Sequence, residues 1–335
     1  MLYNVEPPGL AASFINPFTY ICQKRYRLEK GLVIKSTGSH YRVLNSDGLV
    51  FECTIKGKFR TLGSRTTNPV AVGDRVIYES DPKDRSGIIT EILDRRNYII
   101  RKASNLSRES QIIAANIDQL FLMATIKLPE TPVEFIDRFL VTAEAYRIPA
   151  SLIFNKADLC NEEEAEKMNS LIEIYSDIGY RCFKTSLVGK IILDQLEDAM
   201  KGKISLVAGN SGVGKTTLLN CLNPALDLKT GEISGYHKQG KHITTFPEMH
   251  PMPFGGYLID TPGIRGFGMI DMERSEIYHF FPEIFRKSKE CRFHNCLHLD
   301  EPGCMVRSAV ENGEINFTRY RSYLNILEDE NRKYR

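Results

Sequence analysis

At 335 residues, with 42% hydrophobic and 26% charged content, the sequence has the composition of a globular chain long enough for two or three domains. No apolar run approaches the ~20 residues of a membrane span, and the first residues lack a basic stretch while Pro17 interrupts their apolar patch, so a cytoplasmic protein without membrane attachment is expected. The formal net charge of +2 is unevenly spread: residues 22–110 hold 18 Lys and Arg against 10 Asp and Glu, and the remainder is acidic.

Residues 1–28 carry prolines and no clear period, and they read as a poorly ordered tail. From Lys30 onward come short β-rich segments, GLVIKS, YRVLN, LVFECTI, DRVIYE and SGIITEIL, separated by Gly and Asp turns. Five such strands predict a small barrel, most simply an OB-fold, over 29–110. Lys56, Lys58, Arg60 and Arg65 sit on or beside one Gly-containing loop. Such a surface suits a nucleic-acid backbone, and it suits a solvated charged loop as well. Arg95, Arg96, Arg101 and Lys102 then lead into a polar linker that ends near Ile112.

Beyond the linker the rhythm becomes strand, helix, strand, as in a mainly parallel α/β sheet: DQLFLMAT, the helical PVEFIDRFLVTAEAY, then SLIF. SLIF ends in Asn155, Lys156, Ala157 and Asp158, the N-K-x-D pattern that reads guanine in GTPases. A carboxylate at Asp158 can accept from both N1–H and the 2-amino group of guanine, donors that adenine lacks at those places. Asn155 would brace the loop, and the Lys156 stem would cover the base. Four letters are a weak signal alone, since Asn and Asp are common in turns. A Glu-rich helix and the strand RCFK follow, leading to Ser186, whose backbone N–H is placed to meet guanine O6.

The strongest motif lies further on, where the apolar strand Ile204–Ala208 runs into Gly209, Asn210, Ser211, Gly212, Val213, Gly214, Lys215 and Thr216, then Thr217 and a helix. This fits G-x-x-x-x-G-K-[ST] in its required strand, loop and helix context. Glycines let backbone N–H groups converge on phosphates, and the helix N-terminus adds positive potential. Lys215 would reach the β- and γ-phosphates, and the Thr216 hydroxyl would ligate Mg²⁺. Because Asn155 precedes Gly209, the reverse of the usual order, the sheet must be circularly permuted. The remaining motifs should then follow the P-loop, and GYLI does end in Asp260, Thr261, Pro262 and Gly263. Asp260 would hold Mg²⁺ through a water, and the Gly263 amide would sense the γ-phosphate. Between them lies a Gly-, His- and Thr-rich stretch suited to a switch, in which Thr244 or Thr245 would cap Mg²⁺. Ile264 stands where many GTPases carry the glutamine that orients water, so intrinsic hydrolysis is slow or another group serves. His242 is the candidate for that role, with a structural loop histidine as its alternative. An ATPase or small-molecule kinase is disfavoured by N-K-x-D, and an RNA-binding module with a merely structural nucleotide by the intact Lys215, Thr216 and Asp260.

The last region opens with the helix-like SEIYHFFPEIFRK and reaches Cys291, His294, Cys296, His298 and Cys304. Three thiolates and an imidazole so close in sequence can close a structural zinc site, with His298 first and His294 second as the fourth ligand. The other cysteines are scattered, which argues against a disulfide framework. Helices are expected around Met305–Asn312 and Phe317–Glu330.

The order of these parts resembles the ribosome small-subunit-dependent GTPase A family, the RsgA/YjeQ-type circularly permuted GTPases. The resemblance spans about residues 30–330 and rests on the barrel, NKAD, GNSGVGKTT, GKHITT, DTPG and the C-x4-C-x-H-x5-C cluster. It implies a GTPase domain over 111–272 and a helical zinc-binding domain over 273–335. It also implies GTP and GDP, Mg²⁺ and one Zn²⁺ per chain as ligands, with His298 rather than His294 on the zinc. The implied role is a late assembly factor that binds the small ribosomal subunit through rRNA and couples subunit-stimulated GTP hydrolysis to release; the chain itself is expected to be a monomer. Other small-subunit assembly factors are candidate partners. Ile243 departs from the family's run of threonines, and the N-terminal tail is longer than the barrel requires.

Overall fold

The computed structural model describes residues 27–56, 69–81, 83–102, 110–188, 193–228, 247–260 and 272–333. The predicted tail, Lys58, Arg60, Arg65, His242, Ile243, Thr244, Thr245, Gly263 and Ile264 lie outside them, except that Arg27 and Leu28 already open the first strand.

Strands β1 (Arg27–Ser36), β2 (Tyr41–Asn45), β3 (Val50–Ile55), β4 (Arg75–Asp81) and β5 (Ser86–Ile92) form a closed barrel. Their order is β1-β2-β3-β5-β4, with β4 returning to β1 and only β3 and β5 parallel, the OB-like arrangement. Alternation explains the closure. Val33, Tyr41, Val43, Phe51, Cys53, Val76, Tyr78 and Ile89 point inward and are buried, while their neighbours face out.

The stretch after the barrel differs from the expected linker. Strands β6 (Tyr98–Lys102) and β7 (Ser110–Ala115) pair antiparallel and form a joint with the barrel. Arg95, expected from sequence to lead into the linker, is held against the barrel. Its guanidinium meets the buried Asp74 carboxylate at 2.6 and 2.7 Å and donates to the Pro69 carbonyl at 2.7 Å. Arg96 likewise pairs with Asp118 at 2.6 Å. Lys56 pairs with Glu79 at 3.0 Å, although it stays half exposed.

A second sheet holds β8 (Gln119–Ala124), β9 (Ala150–Phe154), β10 (Arg181–Lys184), β11 (Ile204–Ala208), β12 (Glu248–Pro251) and β13 (Tyr257–Asp260). Their spatial order is β10-β9-β8-β11-β13-β12, parallel but for β12, which pairs antiparallel with β13 and meets β1 of the barrel at Lys35 and Glu248. β12 forms from the last residues of the stretch expected to be a switch loop. β8 is buried along its whole length, so its residues divide between two cores. Leu120, Leu122 and Ala124 face helices Val133–Ala145 and Glu162–Ile178, whereas Phe121 and Met123 face helices Leu193–Met200 and Lys215–Leu222. The Glu-rich helix starts at a capping box of Asn161 with Glu164, and its three leading glutamates suit the positive end of the helix.

The C-terminal region packs helices Pro282–Ser288, Met305–Glu311 and Phe317–Lys333 around a third core. The expected helix before the cysteines is broken: a 3-10 turn over Ile277–Phe280 ends ahead of Pro282, which starts a new helix because it cannot donate within one. This region is clamped to the parallel sheet's helices by one fully buried arginine. Arg319 donates to Glu283 at 2.7 Å and to Asp137 at 2.6 Å, Tyr175 donates to the same Asp137 oxygen at 2.8 Å, and the guanidinium lies 4.7 Å from the Phe281 ring centre. Burial opposes the guanidinium's charge, but Asp137 and Glu283 outweigh it and push its pKa up. Arg319→Met should therefore cost about 3–5 kcal/mol, because it strands two carboxylates without a cation. Denaturant unfolding reads this loss, and a change below about 1 kcal/mol would contradict a structural clamp. Among the described residues, no helix is long and apolar enough to cross a membrane.

Candidate functional site

In an open parallel sheet, ligands bind beyond the carboxyl ends of the strands where the chain reverses its direction of travel across the sheet. Here that point lies between β8 and β11, which the chain joins only after building β9 and β10 outward. The loops leaving β11, β9, β10 and β13 carry Gly209–Gly214, Asn155–Asp158, Ser186 and Asp260, so one end of the sheet gathers the motifs that lie far apart in sequence.

Two glycines make the gathering possible. At Gly209 (φ +150°) a Cβ would come within 2.5 Å of the Met123 carbonyl oxygen, and at Gly214 (φ +109°) within 2.5 Å of the Asn155 amide nitrogen. A Cβ would have to displace the backbone at Gly209 and the Asn155 side chain at Gly214, and both positive φ values favour glycine. The space kept open beside Gly214 is used by Asn155, which donates from Nδ2 to the Val213 carbonyl at 2.8 Å. Its own carbonyl oxygen accepts from Thr185 at 3.1 Å, and its backbone N–H donates to Ala124 at 2.8 Å. Asn155 thus ties the base-reading loop to the P-loop. Lys156, in a left-handed conformation at φ +62°, adds a second tie from Nζ to the Gly212 carbonyl at 2.8 Å, and also donates to Leu128. Burial lowers its pKa, against the opposing charge of Asp158.

Asp158 is exposed, and its Oδ1 accepts from the Ser186 hydroxyl at 2.6 Å. The backbone N–H of Ala157 donates to Thr185 at 3.1 Å, so the loops after β9 and β10 hold each other. Lys215 folds back over its own loop, donating at 2.8 Å to both Gly209 and Asn210 carbonyls. Burial depresses its pKa, with Asp260 acting against that shift. Val213 is buried, while Ser211 and Gly212 are exposed and Asn210, Thr216 and Thr217 are half-buried at the mouth. Asp260 closes β13 directly beside Val207 of the P-loop strand. A glycine cradle with no room for side chains, one lysine, a first-turn threonine hydroxyl and a carboxylate across the crevice form a donor set that fits a nucleoside polyphosphate with Mg²⁺.

Several residues here escaped the sequence. Thr185 and the Ser186 hydroxyl hold Asn155 and Asp158 respectively, and Pro129, in the loop after β8, lies 3.4 Å from where a Gly212 Cβ would stand. Only Ser186 had a signal, and that was for its backbone.

A second cluster lies in the C-terminal region. The ligand atoms of Cys291, Cys296, His298 and Cys304 all fall within 4.8 Å of one another, and His294 is exposed outside the group. His298 turns Nδ1 to the thiols, 3.7 Å from Cys291 and 3.5 Å from Cys304. Its backbone is held by Tyr320, whose hydroxyl donates to the His298 carbonyl at 2.6 Å, while Glu301 accepts from the backbone N–H groups of Leu297 and Leu299 at 2.8 Å. Burial pulls the imidazole down to about 4, a neutral ligand form. Three sulfurs and one nitrogen at this spacing fit a tetrahedral metal such as zinc.

Two family descriptions match the chain, RsgA GTPase over residues 92–270 and RsgA N-terminal domain over residues 30–89. A protein named small ribosomal subunit biogenesis GTPase RsgA from Bacteroides fragilis is 55% identical, aligned over 91% of this chain and 99% of its own. One of the same name from Phocaeicola vulgatus is 56% identical over the same shares. Among solved structures, YjeQ from Thermotoga maritima superposes with a TM-score of 0.73 at 36% identity, covering 91% of this chain and 99% of that one. YloQ, described as a circularly permuted GTPase, gives 0.71 at 30% identity, covering 92% and 96%.

Proposed function

The chain belongs to the RsgA GTPase family, and from that premise we propose that it binds the small ribosomal subunit through rRNA, acts late in its assembly and hydrolyses GTP to GDP and phosphate in response to it. The observation that carries the nucleotide half of this reading is the bond from Asn155 to Val213, which sets the guanine-reading and phosphate-reading loops at one fixed spacing. Asp158 accepts from the guanine edge, with the Ser186 amide on O6 and the Lys156 stem over the ring. The backbone N–H groups from Asn210 to Thr217 and the Lys215 ammonium take the phosphates. Thr216 and Asp260 hold Mg²⁺, which when bound neutralises charge between the β- and γ-phosphates. Cys291, Cys296, His298 and Cys304 hold a structural zinc. His242 as the water-orienting group, Thr244 or Thr245 as the Mg²⁺ cap and the Gly263 amide as the γ-phosphate sensor belong to the same proposal. Labour is divided among a barrel over 29–110 that grips rRNA, a GTPase over 111–272 and the zinc-binding region from 273, in a monomer working in the cytoplasm, with other small-subunit assembly factors as candidate partners.

Titrating phosphate release against purified subunits tests this. With Ile264 unable to position water, the small subunit should raise turnover by at least about tenfold, with the ~10³–10⁵-fold accelerations that partner proteins give other GTPases as the upper range. The large subunit should leave it unchanged. Binding to the small subunit should also weaken steeply between about 50 and 200 mM salt as phosphate contacts release counterions. Equal stimulation by both subunits, or none, would defeat the proposal.

A further inference from the structure

A row of charges crosses the seam between the two sheets. Asp260 on β13 stands in register opposite Glu248 on β12, Glu248 opposite Lys35 on β1, Lys35 opposite Arg42 on β2, and Arg42 opposite Glu52 on β3. Directly opposed residues point to the same face of a sheet with Cβ atoms roughly 5 Å apart, so these side chains form one line. The ion pairs agree with it: Glu248 meets Lys35 at 2.7 Å and Arg42 at 3.5 Å, and Arg42 meets Glu52 at 3.4 Å. The Glu248 side chain is only 24% exposed, so solvent screens it weakly. The line starts at the carboxylate assigned to Mg²⁺ and ends on the barrel.

We propose that Asp260, Glu248, Lys35 and Arg42 form an electrostatic link by which the state of the nucleotide site sets the hold on the barrel. This rests on the nucleotide reading given above. Two carboxylates side by side repel. A divalent cation beside Asp260 offsets that repulsion and lessens the demand of Glu248 on the two basic residues, and loss of the cation restores it. The barrel has a second, fixed attachment where the segment entering β8 meets its rim: the Ala115 N–H donates to the Val72 carbonyl at 2.8 Å and Asn116 Nδ2 to the Gly73 carbonyl at 2.9 Å. The β1 and β12 contact, by contrast, consists of a single register pair among the described residues. A barrel fastened firmly at one point and electrostatically at another pivots about the first.

The test needs no ribosomal subunit. Fluorophores on the barrel and on the parallel sheet of the full chain report their separation, in nucleotide-free protein and with a non-hydrolysable GTP analogue plus Mg²⁺. The wild type should show a shifted distance distribution between the two states. Glu248→Gln should lose most of that shift while binding the analogue within about threefold of wild type, and Glu248→Asp, which keeps the carboxylate opposite Asp260, should retain at least half of it. A full shift in Glu248→Gln would overturn the link, as would Glu248→Asp retaining no more of the shift than Glu248→Gln. Analogue binding without any wild-type shift would overturn the link and leave the nucleotide reading standing. Failure of the analogue to bind would overturn both.

Discussion

Asp158→Asn should bind GTP about 10²–10⁴-fold more weakly and gain affinity for xanthosine triphosphate. A carboxylate accepting two hydrogen bonds from guanine loses about 1.5–3 kcal/mol for each one broken, because they are charge-assisted. The amide of the variant presents an N–H₂ to the guanine amino group, two donors facing each other, whereas the 2-oxo group of xanthine accepts from it. The change should register as recognition and not as misfolding. Asp158 is exposed, and the Ser186 hydroxyl that donates to its Oδ1 at 2.6 Å can donate equally to the amide oxygen of asparagine. Competition between the two nucleotides in one binding assay decides it. Unchanged preference for GTP would remove Asp158 from guanine reading and, with it, the reason for the Asn155 tie.

Removing the metal from the C-terminal cluster should have an effect of comparable size on folding. Zinc in small structural sites contributes apparent free energies of about 10–16 kcal/mol, as much as the whole stability of an ordinary domain. Protein prepared without chelator should carry one zinc per chain, and a strong chelator or Cys296→Ser should unfold the C-terminal helices first. The damage will travel a limited distance. Val141, on the helix Val133–Ala145, packs into the C-terminal core, and Arg319 ties that core to Asp137 on the same helix. Loss of the cluster should therefore lower the melting temperature of the parallel sheet as well. GDP affinity should change only a few-fold while that sheet stays folded, since the loops after β9, β10 and β11 lie on other elements. Purified protein with no zinc, or Cys296→Ser with wild-type stability, would refute the assignment.

Contiguity decided what could be read in advance. Gly209–Thr216 and Asn155–Asp158 are short motifs on strands whose apolar runs are unmistakable, so their location at the ends of β11 and β9 was legible from a few neighbouring letters. The reversed order of the motifs even gave the permutation. Alternation in β2 and β3 likewise announced the barrel. What stayed hidden depends on partners far away. β6 and β7 are short and flank the polar letters of residues 103–109, so they pass for a linker, and only their register, from Tyr98 with Ala115 to Lys102 with Ser110, shows that they pair. β12 has four residues and a proline, too few to establish a period. Arg95 and Arg319 look like surface charge until Asp74 and Asp137 are found against them. The charge row from Asp260 to Glu52 spans more than two hundred residues of sequence, and no local pattern could bring its members together.

The permuted strand order also has a consequence in time. A chain leaves its own ribosome N-terminus first, at about 5–20 residues per second. The barrel emerges first and can close on its own, and then come β8, β9 and β10 with the guanine loop. The inner edge of β8 must wait for β11, about 80 residues later, for roughly 4–16 s at that pace. During that interval a strand destined for complete burial presents an open row of backbone donors and acceptors to the crowded exit of the machine that made it. In an unpermuted chain the phosphate loop would emerge first and the base would be recognised last; here the nascent protein holds a half-built purine pocket before it has anywhere to put a phosphate.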